Sequence, residues 1–340
     1  KHLFFLLLIA HYNNGDWMKD KVVIIGCGNV GMSYAYALLN QRTKVSELVL
    51  IDIDEKRTMG EAADLNHGLA FAPSKLIIKV GNYEDCRDAS VVCICAGARQ
   101  EPNESRMDLV HKNTKIFRDI ISKVIASKFN GIFLIASNPV DVMSYVTYKC
   151  SGFDASKIIG TGTTLDTARV RYMISDKLTI NAKNVHAYIL GEHGDSEFAS
   201  WSNAYIGSVN INQYLSLDEL DDIALDVKTA AYDIIDKKGS TYYGIGMVLV
   251  RITNAILDDE HSVLTVSSYN KENDIFIGYP SIVGRNGITG YIPISLTEEE
   301  CNMFDNSIKV IKDVISNLKV WFTLNVKRRV FLYDKNSFFW

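Results

Sequence analysis

The sequence is poor in the features that mark several functional classes. Its 340 residues include five prolines and six cysteines, and no Cys-x-x-Cys pair. Cys27, Cys86, Cys93, Cys95, Cys150 and Cys301 are scattered, which excludes a disulfide-dense secreted scaffold. Zinc needs a full tetrahedral set of ligands, and no cluster of partners stands near any cysteine, so no metal is expected. Cys93 and Cys95 alternate within "VVCICAG", a spacing that puts both thiols on one face of a strand, where buried thiols pack as small hydrophobes. Long apolar runs are also missing. The opening "KHLFFLLLIA" is apolar over eight residues, far short of a membrane span, and lacks the small-x-small site of a cleavable signal peptide. Nor does one sign of charge dominate. A net charge of −4 gives no electrostatic reason to expect nucleic acid or an anionic membrane as partner. A small anionic ligand would need local basic residues, and a cytoplasmic location is expected.

What is present is alternation. The runs "KVVIIG", "ELVLIDI", "LIIKVG", "SVVCICAG", "GIFLIAS" and "KIIGTG" are near-continuous apolar strands separated by helix-length segments. Strands of that kind are buried on both faces, which implies a parallel sheet covered by helices. The predicted fold is α/β, a Rossmann doubly wound parallel sheet over residues 18–162. Beyond it, longer helices and hairpin-like pieces ("SVLTVSSY", "IFIGYPSIVGRNGI") predict an α+β domain over 163–319. Thr297 and Glu300 form a capping box for a last helix with Met303, Phe304, Ile308, Ile311, Ile315 and Leu318 on one face, ending near Lys319. Residues 1–17, upstream of Met18, read as an extension, and 320–340 as an appended or poorly ordered tail.

"KVVIIGCGNVGMSYAYALL" places Gly26, Gly28 and Gly31 between a strand and a helix, with Asn29 and Val30 among them. Small residues let the backbone turn tightly and approach a pyrophosphate, whose charge meets free amides at the helix start. Such a turn alone is weak evidence. Here Asp52 ends "ELVLID" twenty-one residues after Gly31, where a carboxylate can hold ribose hydroxyls. Together they point to a dinucleotide, and the acid favours NAD because it would repel a 2′-phosphate. Arg57 is a second candidate for cofactor contact that weakens this preference; its ordinary fate is a solvated helix face.

Four further segments, "AGARQEPNESRMDLV", "SNPVD", "GTTLDTAR" and "GEHGDS", follow in that order. From about Met18 to Lys319 the chain resembles the L-lactate dehydrogenase branch of the lactate/malate dehydrogenase family. The resemblance implies NAD-dependent interconversion of pyruvate and L-lactate, with His193 as proton donor and acceptor. An imidazolium can protonate a 2-keto oxygen as hydride reaches the carbon, and the neutral ring serves the reverse step. It implies that Asp166 orients His193 and raises its pKa, although a helix cap before "TARVRYM" is an alternative reading of that residue. It makes Arg169 the bidentate clamp on the substrate carboxylate, and Arg106 the group that polarises the carbonyl when its loop closes. Asn138 then lies near carbonyl and nicotinamide, Thr241 lines the pocket, and Tyr83, Gly97, Ala98 and Ser137 join the cofactor contacts.

The family divides on the residue two before Pro102, which is arginine in malate dehydrogenases and glutamine in lactate dehydrogenases. Here it is Gln100. Oxaloacetate beside a neutral Gln100 would bury an unpaired carboxylate, at a penalty of roughly several kcal/mol. Arg99 sits adjacent, so a one-residue shift would present a cation instead; Glu101 and Asn103 also depart from the common pattern. Malate dehydrogenase, another 2-hydroxy acid dehydrogenase and a catalytically silent NAD-binding protein remain the alternatives.

His186 and His193 are seven residues apart, so on an extended chain they face opposite ways. Arg171, two residues after Arg169 on a helix, also points away from the substrate. In family members that respond to fructose 1,6-bisphosphate, an arginine and a histidine so placed bind the effector across a subunit interface, and the resemblance implies a homo-oligomer, a tetramer. A packed histidine and a surface ion pair are the other reading.

Overall fold

All six apolar runs of the first half become parallel strands. The computed structural model describes residues 20–73, 75–98 and 105–333, the side chains of Arg106 and of residues 319–333 excepted. The strands are β1 (Asp20–Ile25), β2 (Val45–Ile51), β3 (Ile77–Val80), β4 (Val91–Ile94), β5 (Ile132–Ile135) and β6 (Ile158–Gly160). Their order is β3-β2-β1-β4-β5-β6, so the chain reverses direction across the sheet at β1 and β4, where a crevice opens at the strand ends. The connecting helices are α1 (Asn29–Leu39), α2 (Glu55–Gly68), α3 (Arg106–Ala126) and α4 (Val140–Ser151).

Period-two alternation divides each strand between two cores. On one face Val22, Ile24, Leu48, Leu50, Cys93 and Leu134 pack with α1, α2 and a later helix. On the other, Val23, Ile25, Val49, Ile51, Val92 and Ile94 pack with α3, α4 and the last helix. Successive side chains point to opposite faces, which is why these strands carry no polar alternation. Cys93 is wholly buried, and its Sγ lies 3.6 Å from that of Cys95, as expected for two packed thiols on one face.

After α5 (Thr164–Leu178) come short paired segments at 185–210, then α6 (Leu217–Lys238) and α7 (Tyr243–Leu257). The hairpin pieces form β7 (Ser262–Asn270), β8 (Ile275–Gly284) and β9 (Gly287–Tyr291). They do not build a separate large sheet. Ser267 of β7 pairs antiparallel with Gly160 of β6, and the whole becomes one nine-stranded sheet. Glycine at 160 permits this approach, since a Cβ there would lie 2.7 Å from the Ser267 Cβ. A third core joins α5, the 185–215 segment and α6 through Val170, Ile174, Val185, Ile189, Ile211 and Leu220.

The last helix, α8 (Glu298–Tyr333), starts with the expected capping box: Thr297 N–H donates to Glu300 Oε2 at 3.0 Å, and Glu300 N–H to Thr297 Oγ1 at 3.2 Å. Ile308, Ile311, Ile315 and Leu318 are buried, whereas Met303, expected on the same face, is 39% exposed. The expected end near Lys319 is not observed. The backbone stays helical to Tyr333, because no glycine or proline stands between Lys319 and Tyr333 to stop it. Residues 1–17 and 334–340 lie outside the described residues.

Packing of α8 is accordingly carried by its inner face. Ile311→Ala should cost about 2–5 kcal/mol and lower the thermal unfolding temperature clearly, while Met303→Ala should cost under about 1 kcal/mol. Equal losses in calorimetry would contradict this packing.

Candidate active site

The turn after β1 is shaped by glycine. Gly26 adopts φ +103°, and a Cβ on it would meet the Ala96 backbone nitrogen at 2.4 Å. A Cβ on Gly31 would lie 2.0 Å from the Gly26 carbonyl oxygen, so the third glycine lets α1 pack against the turn. Gly28 is different: it is exposed, and a Cβ there would meet nothing within 4 Å. It is the N-cap of α1 and makes no side-chain cap, which leaves the first amides of the helix free for an anion. Asp52 stands beside this turn, its Oδ2 accepting from Cys27 N–H at 2.6 Å and its Oδ1 from Asp54 N–H at 3.0 Å. Open space, free amides and an adjacent half-buried carboxylate fit the phosphates and ribose of a dinucleotide.

The β4 and β5 ends complete this crevice. Ala98 N–H donates to Asn113 Oδ1 at 2.8 Å, and Asn113 Nδ2 donates to the Asn138 carbonyl at 2.9 Å, which ties the Gly97–Ala98 segment to the end of β5. Ser137 Oγ donates to the Ala96 carbonyl at 2.6 Å, so this residue braces the crevice through its hydroxyl. Asn138 is exposed and precedes a cis peptide to Pro139. On the far side, Asn29 Nδ2 donates to Ser240 Oγ at 3.1 Å, which brings the loop carrying Thr241 against the glycine turn. Tyr83 is half-buried with the Lys123 ammonium 5.2 Å from its ring centre. Arg57 pairs with Glu61 at 3.3 Å on an exposed helix face.

The remaining candidates meet at His193. Nδ1 lies 2.7 Å from Asp166 Oδ2, and the other carboxylate oxygen of Asp166 accepts from Arg169 at 2.5 Å. Asp166 sits in the first turn of α5 with its side chain 1% exposed, three residues before Arg169, so one helical turn sets both. Thr163, the N-cap of the same helix, and Thr167 within it bond the main chain of Ile189, which fixes the strand leading to His193. Asp166 is not the N-cap of this helix, a position held by Thr163, and its two oxygens accept from the ring and the guanidinium. With a carboxylate as acceptor, Nδ1 carries the proton and Nε2 is left to face a substrate.

Electrostatics follow from that pairing. Burial by itself would pull the His193 pKa down, but the Asp166 charge and hydrogen bond reverse this and hold it well above the ordinary histidine value. Burial would likewise push Asp166 up, and the facing His193 and Arg169 charges keep it below the usual carboxylate range.

Two residues here were not foreseen. Asp141, wholly buried in the first turn of α4, accepts from His193 N–H at 2.9 Å and from Ser267 Oγ at 2.5 Å. Burial raises its carboxyl to about 6. The signal was a carboxylate inside the apolar run "VDVMSYV" of the quoted "SNPVD" segment. Glu197 brings its Oε2 to 3.7 Å from His193 Nδ1. Asp166, His193 and Glu197 are, among the described residues, the group that could surround a cation, with ligand atoms within 4.8 Å of one another. The Arg169 guanidinium already supplies positive charge at that point. Gln100, with Arg99, Glu101 and Asn103, lies outside the described residues, as does the side chain of Arg106, whose backbone opens α3 behind a Ser105–Asp108 capping box.

Arg171 and His186 lie away from this cluster. His186 is exposed; Arg171 is half-buried, donating from Nε to the Ala187 carbonyl at 3.2 Å, with its guanidinium 5.7 Å from the Tyr188 ring centre. Among the described residues no carboxylate pairs with Arg171, and burial lowers its pKa.

Comparison with known proteins gives two family matches: the lactate/malate dehydrogenase NAD binding domain over residues 20–160, and the alpha/beta C-terminal domain of the same family over 163–320. The chain is 52% identical over 307 residues to an L-lactate dehydrogenase of Bacillus velezensis, covering 87% of this chain and 96% of that one. It is 50% identical over 305 residues to that of Oceanobacillus iheyensis, covering 87% and 95%. Among solved structures, a lactate dehydrogenase from a deep-sea metagenome library superposes with TM-score 0.87 at 47% identity, over 88% of this chain and 99% of that one. The ligand-bound minor L-lactate dehydrogenase of Enterococcus mundtii gives 0.86 at 47%, over 88% and 98%.

The two kinds of glycine and the Asp166 contact are separately testable. Gly28→Ala should leave thermal stability unchanged within about 1 kcal/mol and weaken dinucleotide binding about tenfold or more, whereas Gly31→Ala should destabilise the fold itself. In Asp166→Asn the His193 ring should titrate by NMR at or below the ordinary histidine range near about 6.5; an unchanged titration would contradict the pairing.

Proposed function

The chain belongs to the lactate/malate dehydrogenase family, and we propose that it interconverts pyruvate and L-lactate in the cytoplasm with His193 as the proton-transferring group. The observation that carries this is the 2.7 Å bond between His193 Nδ1 and a buried Asp166 that also holds Arg169. When bound, NADH supplies the hydride and NAD accepts it, held by Gly26, Gly28, Gly31 and Asp52. Six free cysteines suit a reducing compartment. No helix among the described residues is long and apolar enough to cross a membrane.

The roles follow from chemistry at each side chain. His193 in its imidazolium form donates the Nε2 proton to the carbonyl oxygen of pyruvate as that oxygen gains charge, and it leaves as a neutral ring with Nδ1–H on Asp166. Arg169 commits one N–H to Asp166 and keeps the rest of its planar fork for the substrate carboxylate. Asp141 holds the His193 backbone, so the ring cannot drift from that approach. Arg106 polarises the carbonyl, Gln100 meets the methyl end, and Asn138 and Thr241 complete the pocket.

Arg171 and His186 form half of a fructose 1,6-bisphosphate site at the interface of a tetramer. An exposed imidazole and a guanidinium without a carboxylate partner among the described residues support this reading. Two such cationic pairs facing each other would repel, and a bisphosphate would bridge them.

Three outcomes are expected. NADH oxidation assayed side by side should favour pyruvate over oxaloacetate by at least about a hundredfold in kcat/KM, and comparable values would defeat the substrate assignment. Because the His193 pKa is raised, pyruvate reduction should persist above pH about 6.5 and fail only as the ring deprotonates, while lactate oxidation should grow over that same alkaline interval. Adding fructose 1,6-bisphosphate should tighten pyruvate saturation and shift sedimentation toward the tetramer; no change in either sinks the effector site.

A further inference from the structure

Asp166 and Glu197 face the same nitrogen of His193. Their oxygens lie 2.7 and 3.7 Å from Nδ1, and the Glu197 side chain is 7% exposed. The position is fixed rather than incidental. Glu197 N–H donates to the Gly194 carbonyl at 3.2 Å, the next two residues pair with Ile189 and Leu190, and the Phe198 ring packs on Phe304 of α8 at 6.4 Å.

Counting charges shows what it does. Arg169 and Asp166 are joined directly and cancel. A protonated His193 then has, besides the Asp166 it shares with Arg169, two further buried carboxylates near it, Asp141 from α4 and Glu197 from its own loop. Among the described residues His193 is the one cation within ion-pair distance of Glu197.

We infer that Glu197 is a positioning residue that acts through His193: it is a second counter-ion of the imidazolium beside Asp166 and shifts how the pH range is shared between pyruvate reduction and lactate oxidation. This rests on His193 being the proton-transferring group. Burial pushes the Glu197 carboxyl up to about 7, so its negative charge is present in the alkaline range, where it opposes deprotonation of the ring. The other charged groups around it are known. Asp166 and Arg169 face it from α5, and Asp141 of α4, raised to about 6 by burial, faces the same His193. Asp195 from its own loop, Asp221 and Lys228 from α6, and Glu299 and Glu300 from α8 share with it the wall of a cavity of about 880 Å³. Glu192 is held by Ser196 Oγ at 2.6 Å.

The test is kcat/KM against pH in both directions for the parent enzyme, Glu197→Gln and Glu197→Asp, with thermal unfolding and NADH affinity as controls. In Glu197→Gln the alkaline limb of pyruvate reduction should move down by about one pH unit, a tenfold loss on that limb. The acid limb of lactate oxidation should move down equally, a gain of about tenfold there. Glu197→Asp, which keeps the charge, should lie nearer the parent. Limbs that do not move, or a parallel fall in both directions with no shift, overturn the inference. Should Glu197→Gln not fold, NMR titration of His193 in the parent decides: a curve with a second inflection near pH 7 supports the coupling, and a single step contradicts it. A parent without pyruvate turnover would instead overturn the functional reading itself, so the two failures are distinguishable.

Discussion

Everything in the site depends on a buried carboxylate kept ionised by its neighbours. Asp166 is withdrawn from water, which would ordinarily return its proton, and it stays charged because a guanidinium and an imidazole each take one of its oxygens. That anion fixes which nitrogen of His193 carries hydrogen, turns the other toward the substrate space and raises the ring's proton affinity. Remove it and tautomer, orientation and pKa change together.

The scaffold explains how such a carboxylate is held. The ring arrives on a strand that Thr163 and Thr167 bond from the helix carrying Asp166. Its backbone is pinned from the opposite side by Asp141, on a helix of the dinucleotide-binding half. Ser267 bonds the same Asp141 and stands on β7, the strand that joins the later hairpin to the parallel sheet. A continuous nine-stranded sheet therefore gives the glycine turn and the His193 cluster a shared frame, which is what the proposed reaction, needing both in register, requires.

Much of this was legible in the sequence, for identifiable reasons. Buried parallel strands are written as apolar runs, and all six appeared where the runs stood. The glycine turn is legible because the backbone at Gly26 and Gly31 packs too closely for a side chain, and the spacing to Asp52 follows from one strand–helix–strand unit. Asp166, Arg169 and His193 stood out as segments whose order could be matched. Asp141 and Glu197 did not, because their roles arise from contacts: Asp141 meets a backbone amide 52 residues away, which no local pattern encodes. The hairpin belongs to the second domain as read, but its pairing with β6 was not legible, since it spans over a hundred residues, from Gly160 to Ser267. The mixed aromatic and basic tail hid the helix that continues to Tyr333, where only the lack of a breaking residue gave notice.

The central claim is that the Asp166-held imidazole moves the proton. The most direct measurement is the single-turnover rate of NADH oxidation by pyruvate in His193→Gln, with NADH affinity determined on the same preparation. The account predicts NADH binding within a few-fold of the parent and a hydride-transfer rate lower by about 10²–10⁴-fold. A rate within about tenfold of the parent, with substrate and cofactor both bound, would contradict it.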